Sequence, residues 1–211
     1  IVIGASADGV EALQTLVRTL PPKLPAAAFV TIHFPEHGTS VLPRILSRAG
    51  SIPATHAEDK DPIVHGRIYI APPDHHLLLT PRGVRVVRGP KENGNRPAID
   101  PMFRSAAVAF GPRVIGVVLT GNLDDGTAGL KSIKRRGGLA VVQDPEEALF
   151  APMPSSAIEN VAVDRVVRLA HFGRTIQELM REPIPDLDPP VSQGDAMENE
   201  YSAGDLDVIE H

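Results

Sequence analysis

Three segments of the chain place a serine, a histidine and an aspartate each directly after an apolar run. Gly4-Ala5-Ser6-Ala7-Asp8-Gly9 follows IVIG, His33 follows FVTI, and Gly121-Asn122-Leu123-Asp124-Asp125-Gly126 follows VVLT. A serine hydroxyl is a poor nucleophile until a base takes its proton, and the base needs a third group to fix its tautomer and orientation. A hydroxyl, an imidazole and a carboxylate are the side chains for that relay. Each also has a plainer reading. Gly4-x-Ser6-x-x-Gly9 approximates a phosphate-binding turn, with Ser6 at the second glycine position, although Asp8 would repel the phosphates. Ser6 is a credible helix cap, and Asp8 with Glu11 a capping pair. His33 could be a hydrogen-bonded core residue, and either Asp124 or Asp125 a helix cap. Singly the plain readings win. Their coincidence at three apolar-run ends favours the relay.

The elements that must position these groups alternate in type. IVIG precedes a stretch with apolar residues at Val10, Leu13, Leu16, Val17 and Leu20, the helical period, ended by Pro21 and Pro22. AAFVTI (27–32) precedes a helical stretch from Ser40 to Ala49. RIYIA (67–71) is followed by LLLT (77–80) and VRVV (84–87), separated by turn residues and so read as a hairpin. Pro101 suits the first turn of a helix running to Phe110. VIGVVLT (114–120), a helix over 126–136, LAVVQ (139–143), a short helix near 155–160, VDRVV (163–167) and a last helix to Arg181 complete the series. Strands that are nearly all apolar suit a parallel sheet covered on both faces. The expected fold class is therefore α/β: a doubly wound, mainly parallel sheet with helices on both faces and a small β-hairpin. In such sheets the site gathers outside the carboxyl ends of the strands, where all three residues fall.

Composition excludes several other chemistries. The 211 residues contain no cysteine, which removes thiolate nucleophiles, disulfide frameworks, zinc ribbons and iron–sulfur clusters. With no HExxH pattern either, neither metal nor organic cofactor is expected. Aromatics make up 4% of the chain, too few for base-stacking surfaces, so no nucleic-acid partner is expected. The cluster Lys131, Lys134, Arg135 and Arg136 reads as a helix end favourable to the helix dipole. No apolar run approaches the roughly 18 residues that span a bilayer, so no membrane insertion is expected, and IVIGAS lacks the charged start of a signal peptide. The expected location is cytoplasmic. The formal net charge of −5 is unevenly spread. All 21 basic residues lie at or before Arg181 with 17 of the 26 acids, leaving +4 on residues 1–181 and −9 on residues 182–211. The second segment also holds four prolines and few large apolar residues. The expected organisation is a domain over 1–181 and an acidic tail or linker, without stable structure, over 182–211.

GASADGVEAL, TIHFPEHGTSVLPRIL, EDKDPIVHGRIYIAPPDHHLLL, NGNRPAIDPMFRSAA, GVVLTGNLDDGTAGL and FAPMPSSAI, taken together and in order, resemble the catalytic domain of the CheB family, the chemotaxis protein-glutamate methylesterases. The resemblance runs from Ile1 to about Arg181. It implies a serine hydrolase that cleaves γ-glutamyl methyl esters on the cytoplasmic helices of methylated chemoreceptors and releases methanol; some members also deamidate glutamines. It implies a triad of Ser6, His33 and Asp125, the aspartate directly before the loop's last glycine, which leaves Asp124 to a loop or capping role. The backbone N–H groups of Ala7 and Asn122 would face the oxyanion. Family members often carry a receiver domain, so such a domain, or another signalling domain upstream or downstream, is a further implied partner.

The sequence also departs from the family pattern. Asp8 stands where the turn commonly has glycine, and is expected to lower activity by placing negative charge near a developing oxyanion. Asn122-Leu123-Asp124 replaces the family's Met-Gly-Asn, and Asn95 stands where many members have histidine. These changes motivate a second reading, a receptor-binding module with impaired catalysis.

Overall fold

The computed structural model describes residues 1–6, 9–33 and 40–184. From residue 185 onward the acidic segment lies outside these residues. The strands are β1 (Val2–Ala5), β2 (Ala28–Ile32), β3 (Ala54–His56), β4 (Ile68–Ile70), β5 (His76–Thr80), β6 (Gly83–Val87), β7 (Ile115–Val118), β8 (Leu139–Gln143) and β9 (Arg165–Val167). The helices are α1 (Gly9–Thr19), α2 (Leu42–Ala49), α3 (Ile99–Phe110), α4 (Thr127–Arg135), α5 (Pro152–Asn160) and α6 (Phe172–Leu179).

Seven strands form one sheet in the order β3-β4-β2-β1-β7-β8-β9, every neighbouring pair parallel, and β5 and β6 form a separate antiparallel hairpin. Alternate residues of each strand feed opposite faces. Ile3, Ala5, Val30, Ile32, Ile68, Ile70, Val117 and Val141 meet Leu13, Leu16 and Val17 of α1, Leu42 and Leu46 of α2, and Phe172 and Ile176 of α6. Val2, Phe29, Tyr69, Val118, Ala140 and Val142 meet α3, α4, α5 and the hairpin through Met102, Phe103, Leu130, Ile133, Met153, Leu77 and Leu79. Burying one such large apolar side chain contributes about 1.5–3 kcal/mol, so the sheet is clamped from both sides.

Helix ends follow local chemistry. α1 carries Glu11 in its first turn and Arg18 in its last, both favourable to the helix dipole, and stops before Pro21. α2 and α5 each admit proline in the first turn, where no intrahelical N–H is needed. α5 therefore begins at Pro152, earlier than the expected 155. β3 was not expected at all. It is a three-residue edge strand with only Ala54 buried, too short for a periodic signal.

β1 is the switch point of the sheet. The chain leaves it through α1 to β2 on one side, and β7 lies against it on the other. The carboxyl ends of β1, β2 and β7 thus sit side by side.

Candidate active site

Ser6 directly follows β1 and is fixed through its backbone, its N–H donating to the carbonyl of Thr120 beyond β7 (3.0 Å). His33 directly follows β2, its N–H donating to the carbonyl of Ala5 (3.4 Å). Asp125 lies in the loop between β7 and α4 and is 1% exposed. Ser6 Oγ is 2.9 Å from His33 Nδ1, and His33 Nε2 is 2.7 Å from Asp125 Oδ2. An ionised carboxylate only accepts, so His33 donates Nε2–H to it, leaving Nδ1 to accept the Ser6 hydroxyl proton. The three side chains are in one continuous chain of hydrogen bonds across 119 residues of sequence.

Asp125 is unusually well provided with donors. Its Oδ2 also accepts the Ile99 N–H (2.8 Å), and its Oδ1 accepts the Asp100 N–H (3.1 Å) and Asn93 Nδ2 (2.8 Å). Burial pushes its carboxyl up. Hydrogen bonding to His33, the Ile99 N–H, the His33 charge and Asn93 more than offset this, and hold it below the usual carboxylate range. Asp100 beside it behaves oppositely: burial and the Asp125 charge push its carboxyl up, despite the Gly129 N–H and Asn93. Asp100 Oδ1 accepts the Gly126 and Gly129 N–H groups at the start of α4 (3.0 and 2.6 Å).

The loop after β7 is held by its neighbour after β8. Gly121 N–H donates to the Phe150 carbonyl (2.9 Å), Met153 N–H donates back to Gly121 (3.0 Å), and Thr120 N–H donates to Gln143 Oε1 (2.8 Å). Only glycine fits at 121, because a Cβ there would stand 2.7 Å from Ser6 Cβ and 2.8 Å from Met153 Sδ and Cε. Asn122, Leu123 and Asp124 are exposed at the rim. Leu123 has φ 64°, a left-handed backbone that glycine adopts without the steric penalty of a Cβ. Asp124 does not cap α4: the cap residue is Gly126, with φ 96°, and the side chain that accepts the N–H groups at that end is Asp100. The capping reading of Asp124 and Asp125 is thus corrected, since the turn is made by glycine and Asp125 faces the imidazole.

Ala7 and Asp8 lie outside the described residues. Asn95 holds a turn, exchanging backbone hydrogen bonds with Glu92 and donating Nδ2 to the Asn93 carbonyl (2.8 Å). Sequence reasoning missed Asn93, Asp100, Gln143 and Met153. Gln143 carried a signal, as the polar end of an otherwise apolar strand. Asp100 was hidden by its place before Pro101, where an acid reads as a helix start. A cavity of about 430 Å³, bordered by Ile1, Val2, Phe29, Phe110 and Ile115, lies at the amino ends of the strands, away from this chemistry.

The family model for CheB methylesterase matches residues 1–176. A relative from Leptospira interrogans is 42% identical over 170 residues, covering 80% of this chain and 88% of its own length. A protein-glutamate methylesterase/protein-glutamine glutaminase of Pyrococcus abyssi is 37% identical over 180 residues, covering 83% of this chain and 49% of the relative, so the chain spans about half of that protein. The crystal structure of the Thermotoga maritima CheB methylesterase catalytic domain superposes with a TM-score of 0.81 at 32% identity, over 84% of this chain and 96% of that one.

Proposed function

The chain belongs to the CheB methylesterase family, and from that premise we propose that it is a protein-glutamate methylesterase in which Ser6, His33 and Asp125 carry the reaction. The observation that carries the assignment of residues is the unbroken relay from Ser6 Oγ through His33 to Asp125 at the switch point of the sheet.

Ser6 Oγ attacks the carbonyl carbon of a γ-glutamyl methyl ester while His33 Nδ1 takes its proton. Asp125, buried and kept ionised by its N–H donors, stabilises the imidazolium and holds the ring with Nδ1 toward the serine. The tetrahedral oxygen gains from backbone N–H groups near the rim, to which Asn122 and Ala7 would contribute; such a donor is worth about 3–4 kcal/mol. Collapse breaks the bond to the methoxy oxygen, which receives the proton from His33 and leaves as methanol. Water, deprotonated by His33, then attacks the acyl-serine, giving the glutamate carboxylate and free Ser6. With a glutamine side chain the same steps release ammonia, the second activity in the names of the relatives.

The partners are the methylated cytoplasmic helices of chemoreceptors, with a receiver or other signalling domain as a regulatory partner, and the reaction takes place in the cytoplasm. No helix among the described residues is long and apolar enough to cross a membrane. The test is methanol release from a methyl-esterified receptor fragment. Release by the native chain and none by Ser6→Ala supports the assignment; release undiminished in Ser6→Ala overturns it.

A further inference from the structure

Two buried carboxylates side by side are an unstable arrangement unless something stands between them. Asp125 and Asp100 are 1% and 4% exposed, and each has an oxygen within hydrogen-bond reach of a single nitrogen. Asn93 Nδ2 lies 2.8 Å from Asp125 Oδ1 and 2.9 Å from Asp100 Oδ2. An amide NH2 has two protons, so one nitrogen can serve both acceptors at once. We propose that Asn93 is a positioning residue for the esterase reaction: its amide bridges Asp100 and Asp125, offsets the repulsion between the two carboxylates, and so leaves Asp125 anionic and aimed at His33. This rests on the methylesterase reading above.

The residue is otherwise on the surface, at the tip of a turn, with φ 50°. Asparagine tolerates that left-handed backbone better than most residues, so one residue type meets both demands. The turn that presents it is tied down around its whole length. His76, in β5, accepts the Ala98 N–H at Nδ1 (3.2 Å) and donates Nε2–H to the Pro90 carbonyl (2.8 Å). Arg96 reaches Asp74 and the Gly89 carbonyl, and Arg104 of α3 pairs with Glu92 at 2.7 Å. Asp100 in turn anchors the start of α4 through Gly126 and Gly129. The charged and titratable groups around the bridge are therefore His33, Asp100, His76, Glu92, Arg96 and Arg104.

Asn93→Asp tests this, because it keeps the shape and the backbone tolerance while replacing the shared donor with a third carboxylate. The expected result is a kcat about 10- to 100-fold lower, KM changed by less than about twofold, and the acid limb of the pH–rate profile moved to higher pH. The limb moves that way because added negative charge beside Asp125 holds a proton on His33 more tightly. Asn93→Asp/Asp100→Asn restores the number of carboxylates and lets the amide at position 100 donate to the new carboxylate, so it should return the limb toward its native position and recover several-fold in kcat. A single variant with native kcat, a loss of kcat with an unmoved limb, or a double variant no better than the single one would each overturn the proposal. The low-field proton resonance of His33 Nε2–H gives a second readout that needs no turnover. It should shift in Asn93→Asp and return in the double variant, even if methyl esters prove not to be the substrate; an unmoved resonance counts against Asn93 itself.

Discussion

Gly121→Ala isolates the fit between the two loops that hold the nucleophile. The new methyl would lie 2.7 Å from Ser6 Cβ and 2.8 Å from both Met153 Sδ and Cε, where carbon atoms ordinarily rest about 3.5–4.0 Å apart. Each contact must therefore open by about 1 Å. The backbone cannot supply this cheaply, since Gly121 is hydrogen-bonded to Phe150 and Met153, and Thr120 holds the Ser6 N–H. Met153 can rotate away, but Ser6 Cβ moves only by shifting the nucleophile against His33. A displacement near 1 Å costs about a hundredfold in rate, while overpacking lowers stability by about 1–3 kcal/mol. The expected result is a kcat roughly a hundredfold lower, with a melting temperature lower by about 2–12 °C. Gly116→Ala is the control. Its methyl would meet Ile133 and Leu130 at the same 2.7 Å but far from Ser6, so it should lower melting temperature and leave kcat within about twofold. Equal kcat values in the two variants would refute the argument that Gly121 acts through Ser6.

Leu123 holds a left-handed φ at an exposed rim position, so Leu123→Gly should raise stability by about 1 kcal/mol in thermal melts, and a lower melting temperature would contradict the strain. Asp125→Asn sets an amide against four hydrogen-bond partners that all donate, and kcat for a methyl ester should fall by about 10⁴. Burial lowers the proton affinity of His76 below its ordinary 6.5, so its neutral form stabilises the fold fully above that value and the contribution is lost as pH falls below it. The drop in melting temperature between about pH 7.5 and 5 should therefore be smaller in His76→Gln than in the native chain. Asp8→Gly should raise kcat/KM for a methyl ester; an unchanged or lower value would contradict the expectation that Asp8 lowers activity.

The sheet was legible because its strands are apolar on both faces. VIGA and AFVTI are buried at every position, and a short run with no polar face can satisfy its side chains only between two covering layers. β3 was not legible, because an edge strand of Ala-Thr-His has neither length nor alternation. The places of Ser6 and His33 followed from the rule that sites gather at strand ends. The choice of Asp125 over Asp124 did not follow from spacing, since adjacent aspartates at a loop end look alike. It came from resemblance, and the structure gives a physical distinction in the exposure of Asp124 and the burial of Asp125. Asn93 was invisible for a different reason. A surface asparagine between glycines and charged residues reads as a turn, and its second partner is contributed from 32 residues further on.

Every step of the proposed reaction passes through Ser6 as the nucleophile. Incubating the native chain with an activated phosphonate and locating the adduct by peptide mass spectrometry tests this. The prediction is one adduct, on Ser6, absent in Ser6→Ala and formed far more slowly in His33→Ala. An adduct on another residue, or equal labelling rates with and without His33, would contradict it.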